Sequence, residues 1–315
     1  MVMNLPVFPQ FRELQINDYH LLKPYLDAIP PEISDHTFTS LFLWRHYFKT
    51  KICNIDGIVG LFCDRPGNEF FFPPFEQQDV LRAIEMRLVA MESMGKRPKV
   101  RRASEGFINR YLSNQNRFLT KEISNSFDYV YLTENLIKLS GRRYHGQRNF
   151  IKRFKKNYPN FSVEIINKDN IPECLEFEKE WFVRRYSNLM LKTNTSPEEE
   201  EFLKIDLKGT TEALLNFHVL PIVGMAVRVD EKIRGLCIGE MLNQETAVIH
   251  TEKADHHYCG LSQFISQAFC QQFCLDCTYI NREEDLGMEG LRRAKLALGP
   301  HHFKKKYSVT WNIQK

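Results

Sequence analysis

The stretch from Tyr279 to Lys295 concentrates charged side chains and two glycines around one predicted strand-to-helix junction. Asp285 can accept hydrogen bonds from the free N–H groups of the helix that follows it. Gly287 and Gly290 would let a backbone or a ligand approach that first turn closely. A carboxylate here can move a proton, and the guanidinium of Arg282 beside it can stabilise an oxyanion. A capped, solvated helix with an i,i+4 ion pair would explain the same residues, so both interpretations stay open.

A second polar group precedes this junction. His250 and Glu252 are two residues apart on a predicted strand and therefore face the same side. Glu240 lies on the neighbouring strand of the predicted hairpin. Imidazole and carboxylate groups are common proton acceptors in catalysis, which makes these residues, with Arg282 and Asp285, the catalytic candidates. The alternatives are a satisfied core histidine and carboxylates held in internal ion pairs.

Composition limits the class of protein. The 315 residues, 43% of them hydrophobic, are enough for one large domain or two ordinary ones. The net charge of +4 does not require a nucleic-acid partner but allows a local basic surface. We find no apolar run near the roughly 20 residues that cross a bilayer and no signal-peptide pattern at the start. The sequence therefore predicts a cytoplasmic protein, and its eight cysteines, mostly flanked by apolar residues, are typical of buried thiols.

The two halves of the chain share a pattern. Residues 11–18 and 161–169 both carry Phe, Ile and Asn at equal offsets, which indicates a duplicated domain. We place the first domain at 1–138, a basic interdomain helix at 139–160 and the second domain at 161–315.

The order of predicted elements is clearest in the second half. There we predict helices over Glu173–Tyr186, from Ser196 onward, over Leu261–Phe273 and after Asp285, and strands over Leu220–Val229, Ile233–Leu242, Thr246–Thr251, Thr278–Asn281 and Lys306–Ile313. The first half gives a strand over Glu69–Phe72, a helix over Val80–Met94 and a strand over Lys99–Ala103. The fold class is α+β, and the order is that of a GNAT-type acyltransferase domain.

Several sequence blocks are specific. They are Leu139-Ser140-Gly141-x-x-Tyr144-His145-x-x-Arg148-Asn149, His250-x-Glu252-Lys253-Ala254, Asn281-Arg282-Glu283-x-Asp285-Leu286-Gly287-x-Glu289-Gly290-Leu291-Arg292 and Lys306-Tyr307. With them the chain resembles the family of the C-terminal catalytic domain of bacterial phosphatidylglycerol lysyltransferases. The resemblance implies two tandem GNAT-like domains, each with a mixed, mostly antiparallel sheet flanked by helices, and a relation to Fem-type peptidyl transferases. It also implies transfer of an aminoacyl group from a charged tRNA to a lipid or peptide acceptor.

A donor-binding turn is expected before the helix at Leu261. GNAT enzymes hold the coenzyme A pyrophosphate on backbone N–H groups at a helix N-terminus, and the corresponding residues here are His257, Gly260 and Ser262. Since only one glycine is present, acetyl-CoA is less favoured than another acyl donor. Lys306 could reach a phosphate or the oxyanion, although a lysine in a basic run is more often a solvated surface residue. The first half lacks such a turn, and we expect it to be structural or to bind the acceptor.

The interdomain segment is strongly basic. Arg142, Arg143, Arg148 and Lys152 are followed by three more cations, a density sufficient for a salt-sensitive contact with a tRNA acceptor stem. Helices this basic also lie on anionic membrane surfaces, so peripheral membrane contact stays open.

The spacing Cys270-x-x-x-Cys274-x-x-Cys277 matches an iron–sulfur loop of radical enzymes. Too few residues follow it to build the required barrel, and the thiols are better explained by core packing. A zinc site that adds His256 or His257 is less favoured still, and we predict no metal.

These observations favour an acyltransferase that uses aminoacyl-tRNA, needs no cofactor and has its active site in the second half. One alternative is a coenzyme A-dependent N-acyltransferase that uses acetyl-CoA or another acyl-CoA. The other is a non-catalytic RNA-binding or regulatory module.

Overall fold

Runs rich in β-branched and aromatic residues form two sheets, because such residues fit a pleated and partly buried surface. The computed structural model describes residues 4–76, 78–191 and 196–312. In spatial order, the first sheet contains β1 (Arg12–Glu13), β2 (Thr50–Ile55), β3 (Ile58–Cys63), β4 (Phe70–Phe71), β5 (Val100–Ser104), β14 (Lys306–Trp311) and β6 (Phe118–Glu122). The second contains β8 (Ser162–Ile165), β9 (Val223–Val229), β10 (Lys232–Met241), β11 (Thr246–Ala254), β12 (Tyr279–Asn281), β7 (Asp128–Leu132) and β13 (His302–Lys304).

The two sheets follow one plan. In each, the fourth and fifth strands run parallel, β4 beside β5 and β11 beside β12, and the other pairs of defined register run antiparallel. The first strand of each sheet, β1 or β8, lies within one of the two matched sequence stretches. The predicted fold class, with two mixed and mostly antiparallel sheets flanked by helices, is confirmed.

The helices surround these strands. They are α1 (Tyr19–Ala28), α2 (Phe38–Leu43), α3 (Arg45–Phe48), α4 (Val80–Ser93), α5 (Glu105–Tyr111), α6 (Thr133–Lys138), α7 (His145–Asn157), α8 (Ile171–Met190), α9 (Pro197–Leu215), α10 (Leu261–Phe273) and α11 (Glu289–Ala297), with short 3-10 turns at Ile16–Asp18, Ser34–His36 and Ser124–Ser126. As in the duplicated plan of the sheets, α4 connects β4 to β5 and α10 connects β11 to β12. No helix of the described ranges is long and apolar enough to span a membrane.

The sixth strand of each sheet is distant in sequence from the strands before it: β14 follows all of the second sheet's strands in the chain, and β7 precedes most of them. The last strand, β14, pairs with β5 and β6, whereas β7, which precedes the second half, pairs with β12. Unit 1 accordingly contains Met1–Asp128 and Lys304–Lys315, and unit 2 contains Tyr129–Phe303. The domain bounds predicted from the sequence differ, because they put residues 306–313 in the second domain and 129–138 in the first. A strand pattern reveals the strand but not its partner, because pairing is non-local. Ile313 lies outside the described residues.

Two helix starts differ from the sequence expectation. α7 begins at His145, because Leu139 and Gly141 have positive φ angles of 48° and 84° and keep the preceding residues in a turn. α11 begins at Glu289 and not directly after Asp285, since Leu286 and Gly287 also have positive φ angles. The predicted N-cap at Ser196 is present: its side chain accepts a hydrogen bond from the Glu199 N–H group.

Candidate active site in the second unit

The parallel strands β11 and β12 separate after a short paired segment. Their register runs from Thr246 opposite Tyr279 to Val248 opposite Asn281, and β11 then continues to Ala254 paired only with β10. Glu252 and Ala254 share one face of this part of the strand. His250 lies at a β-bulge, between Ile249 opposite Gly239 and Thr251 opposite Ile238, so the predicted alternation of His250 with Glu252 is interrupted. The segment after β12 carries side chains that bridge this gap. Four of the predicted residues form two separate pairs here, His250 with Glu240 and Arg282 with Glu252.

His250 is enclosed between two carboxylates. Its Nε2 lies 2.9 Å from Glu240 and its Nδ1 lies 2.7 Å from Glu283, and the imidazole side chain is 0% exposed. Burial opposes its protonation, but the hydrogen bonds to Glu240 and Glu283 outweigh this and raise the pKa of His250 to about 10. At neutral pH both ring nitrogens therefore donate. His250 holds three chain segments together and has no free nitrogen with which to accept a proton.

Arg282 forms the second bridge across the gap. Its Nη2 donates to Glu252 Oε2 at 2.7 Å, and its Nη1 donates to the Ser266 hydroxyl of α10 at 2.7 Å. The Arg282 and Glu252 side chains are 13% and 14% exposed, so the pair is accessible at one edge. Burial lowers the pKa of Arg282, but the Glu252 carboxylate raises it above its usual value. The guanidinium is thus fixed in orientation and permanently charged, as the stabilisation of an oxyanion requires.

Asp285 organises the turn that follows. It accepts from the Tyr129 hydroxyl at 2.6 Å, from the Gly287 N–H group at 2.8 Å and from Arg292 Nε at 2.7 Å. Burial raises the pKa of Asp285, but the hydrogen bonds from Arg292 and Tyr129 keep it below its usual value. Its acceptor capacity is used within the turn. Its geometry fits a structural carboxylate better than the catalytic role expected from the sequence.

Lys295 fixes the same segment from α11. Its ammonium donates to the carbonyl oxygens of Arg282, Glu283 and Glu284, and the residue is largely buried. Glu283 has a positive φ angle of 57°, a conformation that costs free energy for a residue with a side chain. Such strain is found where surrounding contacts hold a functional segment. Sequence patterns indicated neither Glu283 nor Lys295, because their roles depend on this backbone turn.

A cavity of about 570 Å³ opens at the N-terminus of α10. Its lining includes Ala254, the last residue of β11, with Phe150 of α7 and Arg184 and Arg185 of α8. Among the predicted donor-binding residues, Gly260 and Ser262 also line it. The orphan N–H groups of the first helical turn and the nearby guanidinium groups suit an anionic ligand.

Gly260 has a packing role that the sequence did not reveal. Its φ angle is 92°, and a Cβ atom there would lie 2.0 Å from the carbonyl oxygen of Phe150. The glycine therefore allows the backbone of α7 to lie against the start of α10. His257 is held by Asp255, whose Oδ1 lies 2.9 Å from its Nδ1, and its side chain is 65% exposed.

Lys306 does not join this group. It belongs to unit 1, where its fully buried ammonium is paired with Asp35 and lies 2.6 Å from Asp128. A solvated lysine run was the alternative interpretation, and it also differs from what is observed. Charge can be read from sequence, but burial of this lysine depends on the pairing of β14 within the first sheet.

The cations before and within α7 divide into two kinds. Arg148 donates to the carbonyl oxygens of Leu139 and Gly141, so it closes the turn that precedes the helix. The remaining cations are exposed, and they are Arg142, Arg143, Lys152, Arg153, Lys155 and Lys156. Ile151 and Phe154 bury the opposite face of the helix. The exposed set gives a basic surface that ends at the cavity, where Phe150 is 42% exposed.

Lys253 lies on the other face of β11, and three cysteines lie in the core of unit 2. Lys253 is paired with Glu178 and lies 2.7 Å from Asp206, so it does not neutralise Glu252. Cys270, Cys274 and Cys277 are buried in the apolar core of unit 2, as expected for packing residues.

Comparison with known proteins identifies the family. A family model described as phosphatidylglycerol lysyltransferase, C-terminal, matches residues 27–310. The chain belongs to this family. A crystal structure of a conserved protein of unknown function from Bacteroides thetaiotaomicron VPI-5482 is 26% identical, with a TM-score of 0.79 and coverage of 96% of this chain and 99% of that chain. The structure of L-PGS from Bacillus licheniformis is 13% identical, with a TM-score of 0.58 and coverage of 94% and 92%, and it supports the fold alone.

No match was found among curated proteins. Membership in the lysyltransferase family supports the predicted acyltransferase class. The aminoacyl donor and the individual site residues stay predictions.

The counterpart of α10 in unit 1, α4, carries a buried arginine. Arg87 of α4 is 1% exposed and donates to the Val59 carbonyl oxygen at 2.6 Å and the Ala83 carbonyl oxygen at 2.9 Å, and Glu76 accepts from the Val59 N–H group at 3.0 Å. These contacts join α4 to β3.

Proposed function

We propose that this protein transfers an aminoacyl group from an aminoacyl-tRNA to a lipid acceptor. One arrangement carries the proposal: the cavity at the start of α10 adjoins the exposed basic face of α7 and is lined by Ala254 of β11, which lies on the same face of the strand as Glu252. Family membership supports acyl transfer, and the lipid in the family's description supports a lipid acceptor. The experiment below also tests peptide and small-molecule acceptors.

The basic face of α7 would bind the donor RNA. Lys152, Arg153, Lys155 and Lys156 are exposed on one helix, which suits consecutive backbone phosphates. Arg184 and Arg185 at the cavity would take the phosphates next to the 3′ end. The exposed ring of Phe150 at the rim can stack on an unpaired terminal base. An RNA bound in this way would place its aminoacyl ester in the cavity, near Ala254 at the end of β11.

The transfer itself needs few groups. A hydroxyl or amine of the acceptor attacks the ester carbonyl, a new bond forms to that carbon, and the bond to the ribose oxygen of the tRNA breaks. Arg282 stabilises the oxyanion of the intermediate. Glu252 takes the proton of the nucleophile and returns it to the departing ribose oxygen. His250, already protonated, keeps Glu240 and Glu283 in place and does not act as the base.

The donor arrives in an activated form, so the proposal requires no cofactor. An acyl-CoA would present its pyrophosphate to the same helix start, and this alternative predicts a different labelled donor. A module that binds RNA without transfer predicts binding and no product.

The experiment is a discharge assay. The purified chain is incubated with a mixed pool of radiolabelled aminoacyl-tRNAs and either anionic phospholipid vesicles, a peptide mixture or a cell extract. We expect label to leave the RNA and to appear in the organic phase with the vesicles. Arg282→Lys should lower the rate of transfer by about 10²–10³ while tRNA binding persists, and Arg293→Gln, a change in an exposed pair, should have no effect.

Three results would contradict the proposal. Discharge of labelled acetyl-CoA without discharge of any charged tRNA would favour the coenzyme A alternative. Binding of tRNA with no transfer in any arm would favour the non-catalytic alternative. Label in the peptide or extract arm alone would replace the lipid acceptor.

A further inference from the structure

The turn between β11 and α10 contains three adjacent residues that can bind a metal ion. Asp255, His256 and His257 each offer one ligand atom, and these atoms lie within 4.8 Å of one another. Asp255 and His256 also line the cavity at the start of α10. Carboxylate and imidazole ligands together suit Zn²⁺ and neighbouring divalent transition metals.

We propose that Asp255, His256 and His257 bind one divalent transition-metal ion, with Zn²⁺ the best match, at the mouth of this cavity. The proposed site differs from the prediction, made from the sequence, that the protein binds no metal. Metal binding goes beyond the proposed function, and only the role of the ion in donor binding rests on that function.

The distance between Asp255 and His257 matches the distance between two ligand atoms of one metal ion. Asp255 Oδ1 and His257 Nδ1 are 2.9 Å apart. Two ligands that each lie about 2.0 Å from one zinc ion are separated by about 3 Å. The ion can therefore replace the shared proton, which leaves to solvent, without a large movement of either group.

The carboxylate is held in place before any ion binds. Asp255 is 3% exposed, its backbone N–H group donates to the Arg234 carbonyl oxygen at 2.8 Å, and its Oδ2 is ion-paired with Arg184. Arg184 thus serves as the outer partner that orients a metal-binding carboxylate. Oδ1 accepts from the His257 backbone N–H group at 3.1 Å and faces His257 Nδ1, so it is the oxygen that would bind the ion.

The histidines have the freedom to complete the site. His256 and His257 are both exposed, and their ring centroids lie 4.2 Å apart. A small rotation brings the His256 nitrogen to the ion with little loss of packing. A fourth position would face the cavity, where a water or a phosphate oxygen can bind, as in zinc sites that keep an open position.

The charges around the site define the ligand that it favours. Arg184 and Arg185 oppose a further cation, whereas the Asp255 carboxylate favours one. An ion here would make the cavity mouth more positive, which suits a ligand with several phosphate groups. The 3′-terminal phosphates of the proposed donor have this chemistry.

The test titrates the purified, chelator-treated 315-residue chain with ZnCl₂ by calorimetry and with CoCl₂ by visible absorption. We expect one equivalent of ion and the intense cobalt bands of a low-coordinate site. His256→Ala and His257→Ala should each weaken binding by tenfold or more. His301→Ala is the matched control, because His301 and His302 form another adjacent pair, with ring centroids 5.3 Å apart, and it should bind as the unchanged protein does.

Absence of saturable binding, or equal binding by all variants, would overturn the site. Both histidines are exposed, so circular dichroism should find these variants folded, and a loss of binding then reports on ligands alone. The titration contains no tRNA. A protein that discharges aminoacyl-tRNA but binds no zinc contradicts the metal site only, whereas zinc binding without transfer contradicts the proposed function only.

Discussion

The ammonium of Lys306 lies 2.6 Å from the carboxylate of Asp128, and neither side chain is exposed. Asp128 ends the first chain segment of unit 1, and Lys306 opens the strand by which the chain completes that unit's sheet. One buried ion pair thus joins the two chain segments that form the first sheet.

Lys306→Met should destabilise the protein strongly. The change leaves Asp128 and Asp35 buried with less compensating charge, and breaking a buried pair in this way costs about 3–5 kcal/mol. The measurement is the free energy of unfolding from urea titration. Lys305→Met removes a neighbouring lysine whose partner Glu122 is exposed, and it should leave stability nearly unchanged. Equal effects of the two changes would contradict the structural role of Lys306.

His250 predicts a pH dependence of stability. Its pKa is raised to about 10 by Glu240 and Glu283, against an ordinary value near 6.5. A raised pKa contributes stability that is fully present below the unfolded pKa and is lost as the pH rises through the folded pKa. The free energy of unfolding should therefore fall between about pH 6.5 and pH 10. His250→Gln should lose this part of the slope in urea titrations across that range, and an unchanged slope would show that the imidazole is not held protonated.

Arg282→Lys tests the bridge across the separated strands. A lysine cannot reach Ser266 and Glu252 together in the geometry of a guanidinium, so the cation would no longer be fixed. Loss of one oxyanion donor lowers kcat by about 10²–10³, and we expect a decrease of that order in aminoacyl transfer with KM little changed. Steady-state kinetics measure both constants. Full activity in the lysine variant would remove Arg282 from the mechanism.

The exposed face of α7 predicts the salt dependence of RNA binding. Replacing Lys152 by Ala should weaken tRNA binding and reduce the slope of log affinity against log salt by about 1, because one phosphate contact is lost. Lys208 of α9 is also exposed, and Lys208→Ala provides the control that should leave the slope unchanged. Filter binding over a range of salt concentrations measures the slopes. Identical slopes for both variants would place the RNA elsewhere.

Gly260→Ala tests how closely α7 lies against α10. The new Cβ would lie 2.0 Å from the Phe150 carbonyl oxygen, so α7 must move. Gly287→Ala is a matched change, because Gly287 also has a positive φ angle, 77°, but nothing lies within 4 Å of its Cβ position. The control should cost about 1–2 kcal/mol for its backbone conformation, and Gly260→Ala should cost more and speed hydrogen exchange along α7. Equal costs would contradict the close packing.

The sequence predicted the elements that follow from local periodicity. The spacing of Leu261, Ile265 and Phe269 predicts α10, as observed, whereas the alternation predicted for His250 and Glu252 on β11 is interrupted by a β-bulge at His250. The same alternation could not reveal Glu283, which reaches His250 through a left-handed residue.

Partners distant in the chain were beyond local patterns. Arg148 and Lys306 were predicted to bind a donor because their charge is visible in sequence. Their partners, backbone carbonyl groups for one and two buried carboxylates for the other, depend on tertiary contacts. Sequence pattern therefore predicted the composition of the site better than the role of each cation.

The placement of β14 between β5 and β6 has a consequence for biosynthesis. A ribosome makes the chain from its N-terminus, so the sixth strand of the first sheet is made only after the whole of unit 2. Until then β5 and β6 expose unpaired edges that other nascent chains could join. The first sheet therefore completes its pairing after unit 2 has been translated, although most of its strands are made first.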